Sequence, residues 1–168
     1  MIFACGDIPA LPAHRIDKVE WLCRVCKTYV DNRRQRSNHS MSQKIADKFI
    51  EALHKLEESR DLETITGVFA EDAEVGNIVA PEKFSGRDGA REFWTKYRDT
   101  FGEVRSTFRN IIVTDNCAAL EWTTEGTTSG GAPVKYEGVS ILEIKENAVT
   151  RFRAYFDAGA LGRQVAQE

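Results

Sequence analysis

Long apolar runs, histidine, clustered basic charge and a glycine-rich phosphate loop are all scarce or missing in this 168-residue sequence. No stretch approaches the roughly 20 apolar residues that a membrane-spanning helix needs. Of the three histidines only His54 falls after residue 40, so the body of the chain holds no histidine pair. Without a glycine-rich loop or clustered His, Asp and Glu spacing, no nucleotide or metal cofactor is expected. The four cysteines are too irregular for a zinc site: Cys23-Arg-Val-Cys26 supplies half of one, and neither Cys5 nor Cys117 forms a second pair. Free thiols in a reducing cytoplasm are the expectation. Cys117 falls in an expected strand, where it reads as a small buried hydrophobe.

Charge is unevenly spread. The net −3 divides into seven Lys/Arg against four Asp/Glu over residues 1–40, and sixteen against twenty-two over residues 41–168. An acidic body without a basic stripe excludes nucleic acid as a main partner, because phosphate binding needs clustered cations. The first 40 residues, with two of the four prolines, three of the four cysteines and the run Asp31-Asn-Arg-Arg-Gln-Arg36, carry no sustained period. They read as an extension, with Met41 the expected natural start of a single domain over 41–168.

What is present is regular from Ser42 onward. Ile45, Phe49, Ile50, Leu53 and Leu56 recur at helical spacing opposite Lys44, Asp47, Lys48, Glu51 and Lys55. Ser42, or Ser40 with Gln43, is the expected cap. Asp61 caps a second short helix with Leu62, Ile65, Val68 and Phe69 on its apolar face. Val75 to Val79 reads as a short strand, ended by Pro81. A third helix follows Ser85-Gly-Arg-Asp88, its aromatic stripe formed by Phe93, Trp94, Tyr97 and Phe101. Arg105–Thr114, Cys117–Thr128, Val134–Lys145 and Ala148–Asp157 read as four strands separated by Asp115-Asn116, Ser129-Gly-Gly131 and Glu146-Asn147. Short turns make them an antiparallel meander. Helices first and sheet last give an α+β domain.

The last strand is the most informative. Side chains two apart share a face, so Arg153, Tyr155 and Asp157 point one way and Phe152, Ala154 and Phe156 the other. Asp157 can serve as acid or base, or simply cap the terminal helix. On the second of the four strands, Glu121, Thr123 and Glu125 share one face and Leu120, Trp122 and Thr124 the other; the pattern alone leaves open which set faces inward.

Four pieces carry a resemblance: the helix pair Ile45–Phe69, Phe84-Ser-Gly-Arg-Asp-Gly-Ala-Arg-Glu-Phe93, Ala118-Ala-Leu-Glu-Trp-Thr-Thr-Glu-Gly126 and Ala154-Tyr-Phe-Asp-Ala-Gly-Ala-Leu161. Over residues 42–165 the chain resembles the nuclear transport factor 2-like superfamily, within it the SnoaL-like polyketide cyclase and ketosteroid isomerase-like branch. The resemblance implies a cystatin-like cone, a curved antiparallel sheet wrapped around the N-terminal helices, with an apolar pocket and a homodimer. It also implies an acid or base at Asp157. Of the Tyr-x-Asn found in limonene epoxide hydrolase-like relatives, Val75-Gly-Asn77 keeps only the asparagine. Their Arg-x-Asp pair is replaced by Glu121-Trp-Thr123. The expected site is therefore Asp157, Tyr155, Asn77 and Glu121 for chemistry, with Trp94, Tyr97, Trp122 and Phe69 against a small apolar molecule. Two functions follow: a cofactor-independent isomerase, cyclase or lyase acting on a carbonyl compound, or a non-catalytic ligand-binding or dimerisation module.

Overall fold

A computed structural model describes His39, residues 41–79 and residues 84–165; the expectations for the rest of the first 40 residues, including a Ser40 cap, lie outside them. The first helix, α1, covers residues 41–59. Its apolar side is fully sequestered, with Ile45, Ala46, Phe49, Ala52, Leu53 and Leu56 all buried. Ser42 is inside the helix rather than at its cap, and its buried hydroxyl donates to the Asp115 carbonyl at 2.7 Å. A short α2 (Leu62–Thr66) follows, capped by Asp61, which accepts from the Thr64 amide at 3.0 Å and from the Thr64 hydroxyl at 2.5 Å. That cap is where the sequence places it.

The second helix ends earlier than its apolar pattern suggests. Phe69 opens strand β1 (Phe69–Asn77), whose inward alternation of Phe69, Ala73 and Val75 continues the burial in extended form. Then come β2 (Phe84–Ser85), α3 (Gly86–Thr100), β3 (Phe101–Val113), β4 (Cys117–Thr128), β5 (Pro133–Lys145), β6 (Ala148–Phe156) and α4 (Ala158–Val165). Phe101, grouped above with the helical stripe, is instead the first residue of β3.

The six strands form one curved, unclosed sheet in the order β2-β1-β6-β5-β4-β3. From β3 to β6 it is the antiparallel meander that the turns foretell. Glu146 and Asn147 both have positive φ, 50° and 69°, as a two-residue hairpin turn of the right twist demands. The sheet as a whole is mixed, because β1 lies parallel to β6. Parallel neighbours are joined by a long crossover rather than a turn, so no local signal announces them.

The core lies between α1, α3 and the concave sheet face. Phe49 is its centre, with its ring 5.4 Å from Phe152, 5.9 Å from Trp94 and 6.4 Å from Phe69. Tilted and edge-on aromatic pairs of this kind add to the burial itself. The same alternation that buries Leu120, Trp122 and Thr124 turns Glu121, Thr123 and Glu125 outward. On β6 it brings Phe152, Ala154 and Phe156 to the inside.

One glycine is required by close approach. Gly138 on β5 sits between Trp122 and Phe156 in the register, and a Cβ there would stand 2.2 Å from the Tyr155 carbonyl oxygen and 2.8 Å from Trp122 Cζ2. Gly138→Ala should therefore force the indole and the strand apart, costing about 1–3 kcal/mol. The urea midpoint checks it, and an unchanged midpoint would show that the strands tolerate the added methyl.

Candidate functional site

The concave face lines a half-open cavity of about 340 Å³. Its walls are aromatic: Phe49, Phe93 and Trp94 from the helices, Trp122, Tyr136, Phe152 and Phe156 from the sheet. Leu161 of α4 lines it as well, and Lys96 and Asn77 contribute polar atoms. Lys96 lies 4.8 Å from the Phe84 ring centroid.

One part of the wall is polar, and it is organised around a residue that the sequence pattern hides. Glu57 follows Phe49 and Leu53 at four-residue steps on the apolar side of α1 and is only 4% exposed. Its Oε1 accepts from the Tyr97 hydroxyl at 2.9 Å and from Ser106 Oγ at 2.6 Å, and its Oε2 accepts from the Ser106 amide at 2.9 Å. Three donors on a buried carboxylate repay part of the water it has lost. Ser106 Oγ is also 2.8 Å from Thr124 Oγ1. Ser106 is tied from behind, its carbonyl lying 3.0 Å from His54 Nε2, which donates to it. Glu57 itself does not line the cavity, whereas Tyr97, Ser106, Thr124 and Tyr136 do.

Burial, reinforced by Tyr136 and by the negative charge of Glu57, holds the Tyr97 hydroxyl well above the ordinary tyrosine range. Burial likewise pushes the Tyr136 hydroxyl up, with its contacts to Thr124 and Tyr97 opposing it. Both phenols are therefore neutral across the physiological range. Nearby, Arg98 is buried and donates through Nη1 to the Phe101 carbonyl at 2.8 Å. Desolvation lowers its guanidinium from the ordinary value, while the attraction of Glu57 works in the opposite direction. Trp122 Nε1 donates to Ser140 Oγ at 3.0 Å. Trp94 Nε1 is buried and has no hydrogen-bond partner among the described residues.

The residues expected from sequence separate into two groups. Trp94, Tyr97, Trp122 and Asn77 line the cavity. Asn77 Oδ1 is engaged by the Val79 amide at 2.9 Å. The others are elsewhere. Phe69 is in the core behind the cavity, fully buried. Tyr155 is 45% exposed, on the outward side of β6 beside Arg153. Glu121 is also on the outward side and accepts from Asn110 Nδ2. Asp157 is exposed, beyond the end of β6, where Oδ1 accepts from the Ala160 amide at 2.8 Å. That is the bond of a helix N-cap. Parity explains the outcome: Asp157 shares its face with Arg153 and Tyr155, and the face toward the cavity is that of Phe152, Ala154 and Phe156. Among the described residues, no carboxylate lines the cavity.

Helix α4 is fixed at both ends. Asp157 caps its start, and Gln164 pairs with Lys135 on β5, its Oε1 accepting from the amide at 2.8 Å and its Nε2 donating to the carbonyl at 2.9 Å. This clasp sets Leu161 against the cavity.

The SnoaL-like domain family matches residues 46–152, well over half of the chain. This chain belongs to the SnoaL-like domain family. The match runs from within α1 into β6 and leaves Ala154, Phe156 and Leu161 of the cavity wall outside it. No curated relative matches the chain in sequence. Solved structures agree on the nuclear transport factor 2-like, α+β cone-like fold. An NTF2-like protein from Burkholderia pseudomallei K96243 is 17% identical, with TM-score 0.66 over 74% of this chain and 97% of its own. An LEH-like epoxide hydrolase from M. tuberculosis is 14% identical, with TM-score 0.62 over 77% of this chain and 92% of its own. A protein with a ketosteroid isomerase-like fold from Catenulispora acidiphila DSM 44928, in complex with trimethylamine, is 13% identical, with TM-score 0.63 over 71% of this chain and 92% of its own.

Two outcomes follow from these placements. Asp157→Ala should cost about 1 kcal/mol, felt at α4, whereas Asp157→Asn should cost almost nothing because asparagine caps equally well. Hydrogen exchange at the Ala160 amide separates the two variants, and equal losses would deny the capping role. In alkali, the unfolded chain releases tyrosine protons near the ordinary value of 10.0, while the folded chain retains them at Tyr97 and Tyr136. Stability should thus be level up to about pH 10 and fall as pH rises further. Absorbance at 295 nm should show these two phenols ionising only as the circular dichroism of the fold disappears; earlier ionisation would contradict their burial.

Proposed function

We propose that this SnoaL-like chain binds a small, largely apolar molecule of one or two rings in the cavity, the binding function of the two expected from its sequence. The observation that carries the reading is the aromatic cavity with one polar patch and no carboxylate on its wall among the described residues. Its volume of about 340 Å³ is near the lower end of the roughly 300–1,000 Å³ usual for ligand sites. A cavity of about 150 Å³ already holds benzene, so a second ring fits here. Cyclase, isomerase or lyase chemistry through Asp157 would need that carboxylate against the substrate, and its engagement with the Ala160 amide speaks against it.

The fold's capacity to hold a small organic molecule is illustrated by the Catenulispora neighbour in complex with trimethylamine. Among the described residues, no helix is long and apolar enough to cross a membrane. A cytoplasmic setting and a homodimer belong to the same proposal; Ile111 and Ile112, 42% and 65% exposed on the edge strand β3, favour the latter.

Naphthalene serves as the probe, followed through the indole N–H resonances of Trp94 and Trp122. Ala154 lines the cavity from β6, so Ala154→Leu should fill it and weaken binding at least about tenfold through steric exclusion. Asp157→Asn should leave binding unchanged. Equal binding by the Ala154→Leu variant and the unmodified chain would place the ligand elsewhere.

A further inference from the structure

The polar patch has a direction, set by counting its protons. A hydroxyl has one proton to give. Tyr97 and Ser106 both give theirs to Glu57 Oε1. In the contact between Ser106 Oγ and Thr124 Oγ1, Ser106 therefore has no proton left, and Thr124 is the donor. Three hydroxyl protons thus run toward Glu57, and each oxygen left behind presents lone pairs. Tyr136, which lines the cavity beside Thr124 and Tyr97, keeps its own proton to give. From the cavity the patch offers the oxygens of Tyr97 and Thr124 as acceptors and the Tyr136 hydroxyl as a donor.

Resting on the binding reading above, we infer that the cavity selects a ring compound whose hydroxyl group, as a phenol, enol or alcohol, donates a hydrogen bond into the Tyr97–Thr124–Tyr136 patch. A hydroxyl can both donate to those oxygens and accept from Tyr136, whereas a ketone or ether can only accept. The one unpartnered buried donor on the wall, among the described residues, is Trp94 Nε1, so a ketone must be among the probes.

Glu57→Gln is the informative variant because its geometry dictates the outcome. The Ser106 amide can only donate, so the oxygen of the substituted carboxamide must take the place of Oε2. The carboxamide NH₂ then faces Tyr97 and Ser106 in place of Oε1 and donates to both. Their hydroxyl protons are freed to turn outward, and the patch becomes a donor.

Four probes test this by titration on the full chain: naphthalene, 2-naphthol, 2-methoxynaphthalene and 2-acetonaphthone. The unmodified chain should bind 2-naphthol about tenfold or more tightly than the methoxy compound or the ketone, the worth of one good hydrogen bond. Tyr136→Phe, which leaves the Tyr97 and Thr124 oxygens in place, should weaken ketone binding and keep the preference for naphthol. Folded Glu57→Gln should reverse it in favour of the ketone. Equal binding of naphthol and its methyl ether by the unmodified chain overturns the inference, as does a ketone preference, which would assign the polar contact to Trp94. An unchanged ratio in folded Glu57→Gln also overturns it. If that variant does not fold, the four-probe comparison on the unmodified chain and on Tyr136→Phe decides alone. Naphthalene separates the two levels: if it binds and the hydroxyl adds nothing, only the donor inference fails, and if no probe binds, the binding reading falls and takes the inference with it.

Discussion

A buried carboxylate cannot be left to itself, and that constraint at Glu57 ties the domain together. Desolvating an ion costs several kcal/mol even after relaxation, and here the compensation comes from parts of the chain distant in sequence. Tyr97 comes from α3 and Ser106 from β3, while Glu57 belongs to α1. Each bond fixes one element against another. The helix that fills the concave face is thereby held at a defined depth, and the space left beyond it is the cavity. Breaking the set on one side would strand either the charge or the donors, which is why such a cluster specifies one arrangement of α1, α3 and β3 more sharply than apolar contact does.

The aromatic core complements this by filling rather than by directing. Phe49, Trp94 and Phe152 meet at tilted angles over a small volume, and Gly138 leaves room for Trp122 to lie close to the sheet. The result is a wall of large aromatic faces. A ligand would meet large apolar faces everywhere except at the hydroxyl patch, so orientation would be set by that patch while most of the contact area came from rings.

Much of the fold was legible because period and parity are local. The 3.6 spacing of Ile45, Phe49, Leu53 and Leu56, the Asp61 cap and the alternations of β4 and β6 are all determined within a few residues. The parallel pairing of β1 with β6 was not, because it depends on a crossover and on nothing near either strand. The site was harder still. Parity correctly grouped Phe152, Ala154 and Phe156, and a single chain-distant fact, which face is concave, decided that Asp157, Tyr155 and Glu121 stand outside. Glu57 left one trace: a charged residue four positions after Leu53 on an otherwise apolar face. Its partners Ser106 and Thr124 carry no pattern of their own, since small hydroxyls suit strands on either face.

Asp157 and Glu57 together show how one fold accommodates different chemistry. A carboxylate at the end of the last strand becomes part of a cavity only if the chain turns inward there. In this sequence Ala158-Gly-Ala-Leu161 starts a helix instead, and the N-terminal amides of that helix claim the acid. The carboxylate that does govern the cavity has no direct contact with it and acts through the hydroxyls it orients. Function on a shared scaffold lives in such placements rather than in the fold. An acid in the layer behind the cavity does not meet what the cavity holds; it fixes which way the neighbouring hydroxyl protons point.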